Sequence, residues 1–484
     1  MLFNSIGYLV FLPAVVLLYY LVPFRFRWMI LLAASYFFYL LWRAEFVLVL
    51  MGATLVSYYA AVRMGKIPDK KQRLKYLLIT LAVNLGMLVF FKYLGFFTDL
   101  VNQFAGIAGK RPVIPWMGIL VPAGISFYTF QTIGYTIDVY RGVVKPEKNI
   151  GIYALFVSFF PLVLAGPIER GRRLIPQFHA EHSFDPQLFT SGLRLILWGM
   201  FKKVAIADRL SMFVDPVFSN IGYFHGPEIA IAIVLKMMEV YADFSGYTDI
   251  AIGSARLMGF RLSPNFNRPF SARSIAEFWS RWHISLTSWL RDYVYFSLPF
   301  TFRGRKVNWR MNLNLVIVFV LVGFWHGPYW NFIIFGLFQG TFMVIANVFR
   351  PLMTRFNRVT GLDSAPRLLQ GLNITATFLL ICSTAFFFGP HPLHDSFYMI
   401  LNLADFSQTG HAILLPLLKN GDLLLGIVLV LFMLWFEYLV AMKSFASKFL
   451  SKPVIIRYAA YLFMVMFLLA FGVFSSQKFF YFQF

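Results

Sequence analysis

The stretch Leu315-Val316-Ile317-Val318-Phe319-Val320-Leu321-Val322-Gly323-Phe324-Trp325-His326-Gly327 decides how this chain is read. An apolar run that continues through Trp325 suits a helix in lipid or in a buried core, and this one ends on a histidine. An imidazole at membrane depth carries a desolvation cost unless something pairs with it, which makes an intramembrane ionisable residue a functional candidate. On this stretch alone another reading stays open, a helix-end histidine whose ring bonds a neighbouring carbonyl.

Working outward, the composition supports lipid. Of 484 residues, 59% are hydrophobic, 19% aromatic and only 13% charged, against roughly a quarter charged in soluble domains. Apolar segments of helical length recur from end to end, without the alternation of ~10-residue segments that marks a membrane barrel. The fold class is therefore an all-α, polytopic integral membrane protein, read as one membrane-embedded domain over residues 1–484. No internal repeat is visible, so a transporter built from inverted repeats gains no support. Cys382 is the only cysteine, which excludes an intramolecular disulfide and any multi-cysteine metal site, and no metal is expected. The net charge of +22 lies mostly in loops between apolar segments. There the positive-inside rule and attraction to anionic lipid account for it, and no nucleic-acid partner is expected. Service to a polyanionic substrate stays open.

Residues 1–23 read as a retained first membrane helix, because a basic n-region and a small-residue cleavage site are missing. Apolar stretches follow at 28–42 and 46–62. The loop with Arg63, Lys66, Lys70, Lys71, Arg73 and Lys75 carries a single acid, Asp69. Placing it in the cytoplasm puts Arg25 and Arg27 inside too, and the N-terminus outside. The next spans are 76–97, interrupted by Lys92, and a segment from near Pro115 to Asp138. Residues 152–165 end at the Gly166-Pro167 turn signal. The charges just past it, Glu169, Arg170, Arg172 and Arg173, read either as a cytoplasmic loop or as a vestibule for a phosphorylated donor.

Residues 188–206 form a further amphipathic or spanning helix with Lys202 and Lys203. Residues 229–257 carry Glu239, Asp243 and Asp249, which must face protein or water rather than lipid. Two roles remain for them, packing partners for nearby arginines or proton relay. Later apolar stretches lie at 329–348, 374–388, 423–440 and 454–474. Basic loops hold Arg303, Arg305, Lys306 and Arg310, then Arg350, Arg355, Arg358 and Arg367, then Lys443, Lys448, Lys452 and Arg457. The total is roughly ten to twelve membrane segments of ordinary length.

The other informative stretch is residues 277–293, Glu-Phe-Trp-Ser-Arg-Trp-His-Ile-Ser-Leu-Thr-Ser-Trp-Leu-Arg-Asp-Tyr. On one helix, Trp279, Trp282, His283, Leu286, Trp289, Leu290 and Tyr293 share a face, with Arg281, Ser285, Ser288 and Asp292 on another. Such a helix is too polar to stand in lipid alone, so it is interfacial, re-entrant or buried in protein.

These two stretches, with Asp243-Phe244-Ser245-Gly246-Tyr247 and Gly124-Ile125-Ser126-Phe127-Tyr128, resemble the signatures of the membrane-bound O-acyltransferase family. The likeness is to its bacterial alginate O-acetyltransferase-like branch, and the chain ends 1–5 and 480–484 share it. The resemblance implies an all-helical, funnel-shaped membrane fold, with His326 as the catalytic histidine and His283 as the second signature histidine. It also implies a bacterial inner-membrane location. The acyl thioester, usually acetyl coenzyme A, enters from the cytoplasm as a substrate rather than a bound cofactor. A separate exported esterase-like partner then places the acyl group on a polysaccharide.

The chemistry suits the residues independently. Acyl transfer to a hydroxyl needs a base, and histidine, with an ordinary pKa of roughly 6.5, is neutral and ready at working pH. Trp325 and Trp282 are expected to border the substrate. Arg281 and Arg291 either hold coenzyme phosphates by charge-assisted bonds or pair with Glu277 and Asp292. The end of an apolar run suits His326 as the base, whereas His283, on its tryptophan-rich stretch, is expected to shape the site or bind the donor. The competing classes are a transporter and a non-catalytic scaffold of a polysaccharide-export complex.

Overall fold

In a computed structural model the chain is all-helical among the described residues, which are 1–109, 111–115, 118–298, 309–405, 421–442, 448–474 and Phe479. Among these described residues, seven helices are long and apolar enough to cross a membrane: Phe46–Gly65, Lys70–Ile107, Trp309–His326, Trp330–Val359, Pro366–Phe387, Asp422–Ala441 and Val454–Phe471. The sequence count of ten to twelve exceeds this because it includes shorter apolar segments and residues 229–257, whose helix Gly226–Leu257 is long but carries ionisable residues along its length. Ile6–Leu21 is one of the shorter segments, and its length of about 24 Å falls short of a hydrocarbon core of about 30 Å. Arg303, Arg305, Lys306, Lys443 and the 480–484 motif lie outside the described residues.

The chain divides into two compact units. The first comprises residues 1–196, 248–264 and 288–293. Several of its helices start where a side chain satisfies orphan backbone donors. Ser5 accepts from the Tyr8 N–H, Asp69 from Lys71, and Asn149 from Gly151 and Ile152. Inside, hydroxyls and amides link helices where no water can: Tyr153 to Ser57 at 2.8 Å, Thr132 to Asn84 at 3.0 Å, and Gln131 to the Phe156 carbonyl at 2.6 Å. Gly124 precedes Ile125–Arg141 at φ +75, and a Cβ there would lie 1.9 Å from the Val163 carbonyl oxygen. Only glycine fits a left-handed backbone pressed so closely on another segment. The expected break at Lys92 is a π-helical turn, Val89–Tyr93, that buries the lysine.

The second unit comprises residues 197–247, 265–287 and 294–484. Its tightest element is an antiparallel hairpin of Trp309–His326 and Trp330–Val359. Three glycines set its register. A Cβ on Gly323 would meet the Phe332 carbonyl oxygen at 2.0 Å, one on Gly336 the Phe319 carbonyl oxygen at 2.2 Å, and one on Gly340 the Val316 Cα at 2.8 Å. Backbone-to-backbone approach of this kind is how helices associate where lipid removes the hydrophobic drive. The second arm runs on through Arg350, Arg355 and Arg358, which the sequence placed in a loop. The helix continues there despite Pro351, and the arginines keep their charges exposed.

Residues 201–207 form a π-helix carrying Lys202 and Lys203. Glu239 and Asp243 of Gly226–Leu257 are buried and take lysine partners, while Asp249 is half-buried with Arg256 beside it, the arginine pairing expected for this group. Lys203 lies 2.7 Å from both Asp208 and Asp243, and Lys236 lies 3.3 Å from Glu239.

Candidate functional site

The glycine hairpin delivers His326 to a fixed place, as the last residue of its helix and 3% exposed. Its ring is boxed by aromatic rings of the same unit: Trp325 at 5.0 Å, Phe388 at 5.1 Å, and Phe332 and Phe335 each at 6.1 Å between centroids. Gly327 allows this, since a Cβ there would strike the Phe332 ring at 2.5 Å.

His283 reaches the same neighbourhood by a different device. The single helix expected over residues 277–293 is two helices, Ile275–Arg281 and Ile284–Tyr293, broken at Trp282 and His283. His283 has φ +44, a left-handed conformation that costs a non-glycine residue roughly 1–2 kcal/mol. Such strain persists where surrounding structure over-determines it, and it clusters at functional sites. The first helix is capped by Ser274, which accepts from the Glu277 N–H, while Glu277 turns back to the Arg273 N–H. The break turns the fully buried His283 ring against Phe244 at 4.7 Å and Trp325 at 5.7 Å. Trp325 therefore touches both imidazoles with one indole. Burial pushes the His283 imidazole down to about 3, so it is neutral at physiological pH.

Asn265 holds this break and was not legible beforehand. In Ser263-Pro264-Asn265-Phe266-Asn267 it looks like a turn residue, and nothing local shows that its partners lie some twenty residues on. Its side-chain oxygen accepts from the Ser285 N–H at 3.2 Å and the Ser285 hydroxyl at 2.6 Å, and it lies 3.3 Å from His283 Nδ1. Its backbone carbonyl accepts from the Ile284 N–H at 2.9 Å. The Asp243 to Tyr247 motif is also explained by what it touches. Asp243 takes Lys203, Phe244 supports His283, and Gly246 lets the helix close on the Gly199 carbonyl.

The remaining candidates divide. Trp282 stacks on Phe278 at 5.4 Å and meets Phe266 edge-on at 5.2 Å, while Trp279 donates its N–H to Gln339 at 3.0 Å. Arg281 pairs with Glu277 and donates to the Ser271 hydroxyl at 2.7 Å. Arg291, in the first unit, is exposed and pairs with Asp292 at 3.0 Å. The pairings that the sequence left open for both arginines are present. Also in the first unit, residues 159–169 are buried, Glu169 accepts from the Ser263 N–H, and Arg170 reaches Asp292 at 3.3 Å; only Arg172 and Arg173 of that charged stretch are exposed. Burial raises the Glu169 carboxyl above its usual range. Among the described residues no group of three or more His, Cys, Asp or Glu side chains converges as metal ligands would.

The arrangement offers two neighbouring imidazoles in a dry aromatic setting, the environment in which a base takes a hydroxyl proton without competition from water. Comparison with known proteins gives the family. Residues 149–388, which include both histidines, match the model of the membrane-bound O-acyltransferase family. The chain is 39% identical over 384 residues to the “Probable alginate O-acetylase AlgI” of Pseudomonas aeruginosa, covering 79% of this chain and 70% of that protein. It is 38% identical to the protein of that name from Azotobacter vinelandii, covering 79% and 73%. To the “Peptidoglycan O-acetyltransferase” of Helicobacter pylori it is 31% identical, covering 73% and 69%. Built on an all-helical membrane fold and matched across both histidines, this chain belongs to the membrane-bound O-acyltransferase family and is a membrane-bound acyltransferase.

Proposed function

We propose that the protein sits in the bacterial inner membrane and passes an acetyl group from cytoplasmic acetyl coenzyme A to hydroxyls of a cell-envelope or extracellular polysaccharide. The observation that carries this reading is His326 at the end of an apolar span, boxed by rings, in a chain whose relatives are named for O-acetylation. His326 takes the acceptor hydroxyl's proton as the oxygen attacks the thioester carbonyl, and that proton goes to the departing thiolate. His283, neutral and fixed, supports the reactants. Coenzyme A carries phosphates that cannot enter hydrocarbon, so the donor docks from the cytoplasm and only the small acyl unit is handed across. Relatives named for both alginate and peptidoglycan leave the polymer to experiment. The hydroxyl that first accepts the acetyl group belongs to an exported esterase-like partner, which then passes the group to the polysaccharide. The shorter apolar helices supply further crossings toward ten to twelve, and the helices flanking His283 are re-entrant or interfacial.

The test is reconstitution of purified protein in vesicles, with labelled acetyl coenzyme A on one face and an acceptor polysaccharide, with or without a candidate partner, on the other. Label should reach the acceptor across the membrane. Transfer only when donor and acceptor share a face, or equal use of long-chain donors, would overturn the proposal.

A further inference from the structure

We infer that Asn265 is a positioning residue for the transfer reaction, one whose side-chain oxygen keeps His283 in the Nδ1–H tautomer and clamps the left-handed turn that carries it. The inference rests on the acyl-transfer reading for its meaning, but its structural core stands apart from it.

The argument starts with the identity of one atom. The oxygen and nitrogen of an asparagine amide are interchangeable by shape, and their assignment follows from partners. The Ser285 backbone N–H points at the Asn265 Oδ1 position from 3.2 Å, and a backbone N–H only donates. A nitrogen there would set donor against donor, so the atom is the oxygen. The Ser285 hydroxyl, at 2.6 Å, donates to it as well. His283 Nδ1 lies 3.3 Å from the same oxygen, and two lone pairs facing each other at that distance would repel. Nδ1 therefore carries the proton. In a neutral imidazole the lone pair is then on Nε2. His283 is thus kept as a hydrogen-bond acceptor through Nε2, suited to a hydroxyl, thiol or amide N–H of a docked reactant.

The backbone points the same way. At φ +44 glycine would be the easy residue, and the presence of histidine means that the side chain is wanted where the strain is. The turn is held on both sides by one loop. The Ile284 N–H donates to the Asn265 carbonyl at 2.9 Å, and the Asn267 N–H donates to the Arg281 carbonyl at 3.0 Å. With the two Ser285 bonds, the loop reaches residues on either side of His283. Asn265 is 1% exposed, so water does not compete for its oxygen.

Two measurements on the full-length protein test the inference. In the first, histidines are selectively labelled with nitrogen-15, and the His283 signals are assigned by their loss in His283→Gln. The expected result is an Nδ1–H pattern in the unaltered protein and a mixed or Nε2–H pattern in Asn265→Ala. Retention of the Nδ1–H pattern in Asn265→Ala would overturn the inference, whatever the protein's activity. In the second, acyl transfer is followed against pH. Asn265→Ala should lower kcat by about 10- to 100-fold, the usual cost of losing an orienting partner, with little change in donor KM. Asn265→Asp keeps an oxygen at the clamp but sets a negative charge beside Nδ1–H, which favours the imidazolium. Its acid limb should therefore move to higher pH, with activity recovered at alkaline pH. If Asn265→Ala does not fold, Asn265→Asp decides alone. A pH profile superimposable on that of the unaltered protein would overturn the inference. Transfer that fails in the unaltered protein would sink the acyl-transfer reading and leave the nitrogen-15 result standing.

Discussion

Removing the imidazole at His326 takes away the proposed base, whereas removing it at His283 takes away support for the reactants. His326→Ala should therefore cost about 100-fold or more in polymer acetylation, the range of general base catalysis, and His283→Ala less. Cells carrying each variant, with membrane-inserted protein matched by immunoblot, provide the measurement, and equal or reversed losses would remove this division of roles. His326 was legible in the sequence because an ionisable group stood alone in an apolar run. His283 was legible only with its tryptophan neighbours. Asn265 was not, since an asparagine after proline in a polar loop suits any turn. Arg281 and Arg291 show the converse limit. Their charge was visible, but whether each would meet a ligand or the acid beside it depended on side-chain geometry that spacing does not fix.

The helices themselves were largely readable, because apolar runs of the right length leave few alternatives in lipid. The span over residues 315–325 falls within Trp309–His326, and that over 229–257 within Gly226–Leu257. The break at His283 was hidden. The spacing of Trp279, Trp282, Leu286 and Trp289 fits one continuous helix, and a left-handed residue without glycine carries no compositional mark. The hairpin contacts were equally hidden, since a glycine in an apolar run shows nothing of the carbonyl opposite. They give a prediction for this element. Gly323→Leu must push its side chain into the Phe332 backbone, which cannot move aside as a flexible side chain would. Overpacking of this kind costs typically ~1–3 kcal/mol. The variant should lose several degrees of thermal stability in detergent together with its activity, while Gly371→Leu, at an open position on an exposed helix face, should leave both near the starting values. Equal behaviour of the two variants would mean that the hairpin's register does not depend on the close approach.

Across the whole chain, charge is expected to set orientation. Among the 43 basic residues, Arg63 closes Phe46–Gly65, and Lys70, Lys71, Arg73 and Lys75 open Lys70–Leu88, and on charge this stretch is expected in the cytoplasm. We expect both chain ends outside the cytoplasm. Seven crossings alone would leave the ends on opposite faces. With Arg63 to Lys75 inside, Ile6–Leu21 and Phe24–Leu40 must cross as a pair or not at all to keep the N-terminus outside, and an odd number of further crossings must fall beyond Ile107. Reporter fusions decide the point: a periplasm-active reporter should work at each end and a cytoplasm-active one within residues 66–70. A cytoplasm-active reporter working at the C-terminus would refute the topology.

The hairpin that delivers His326 also bears on how such an enzyme can diversify. Its register is written in positions that have no side chain to exchange, while the rings around the imidazole contribute bulk that variation can trim or enlarge. Phe335 and Gly336 stand side by side in one turn, the first bordering His326 and the second closing the two backbones. On the acyl-transfer reading proposed above, exchange at Phe335 would alter the space beside His326 while Gly336 keeps the register, so that cargo size and site geometry would become separately heritable traits.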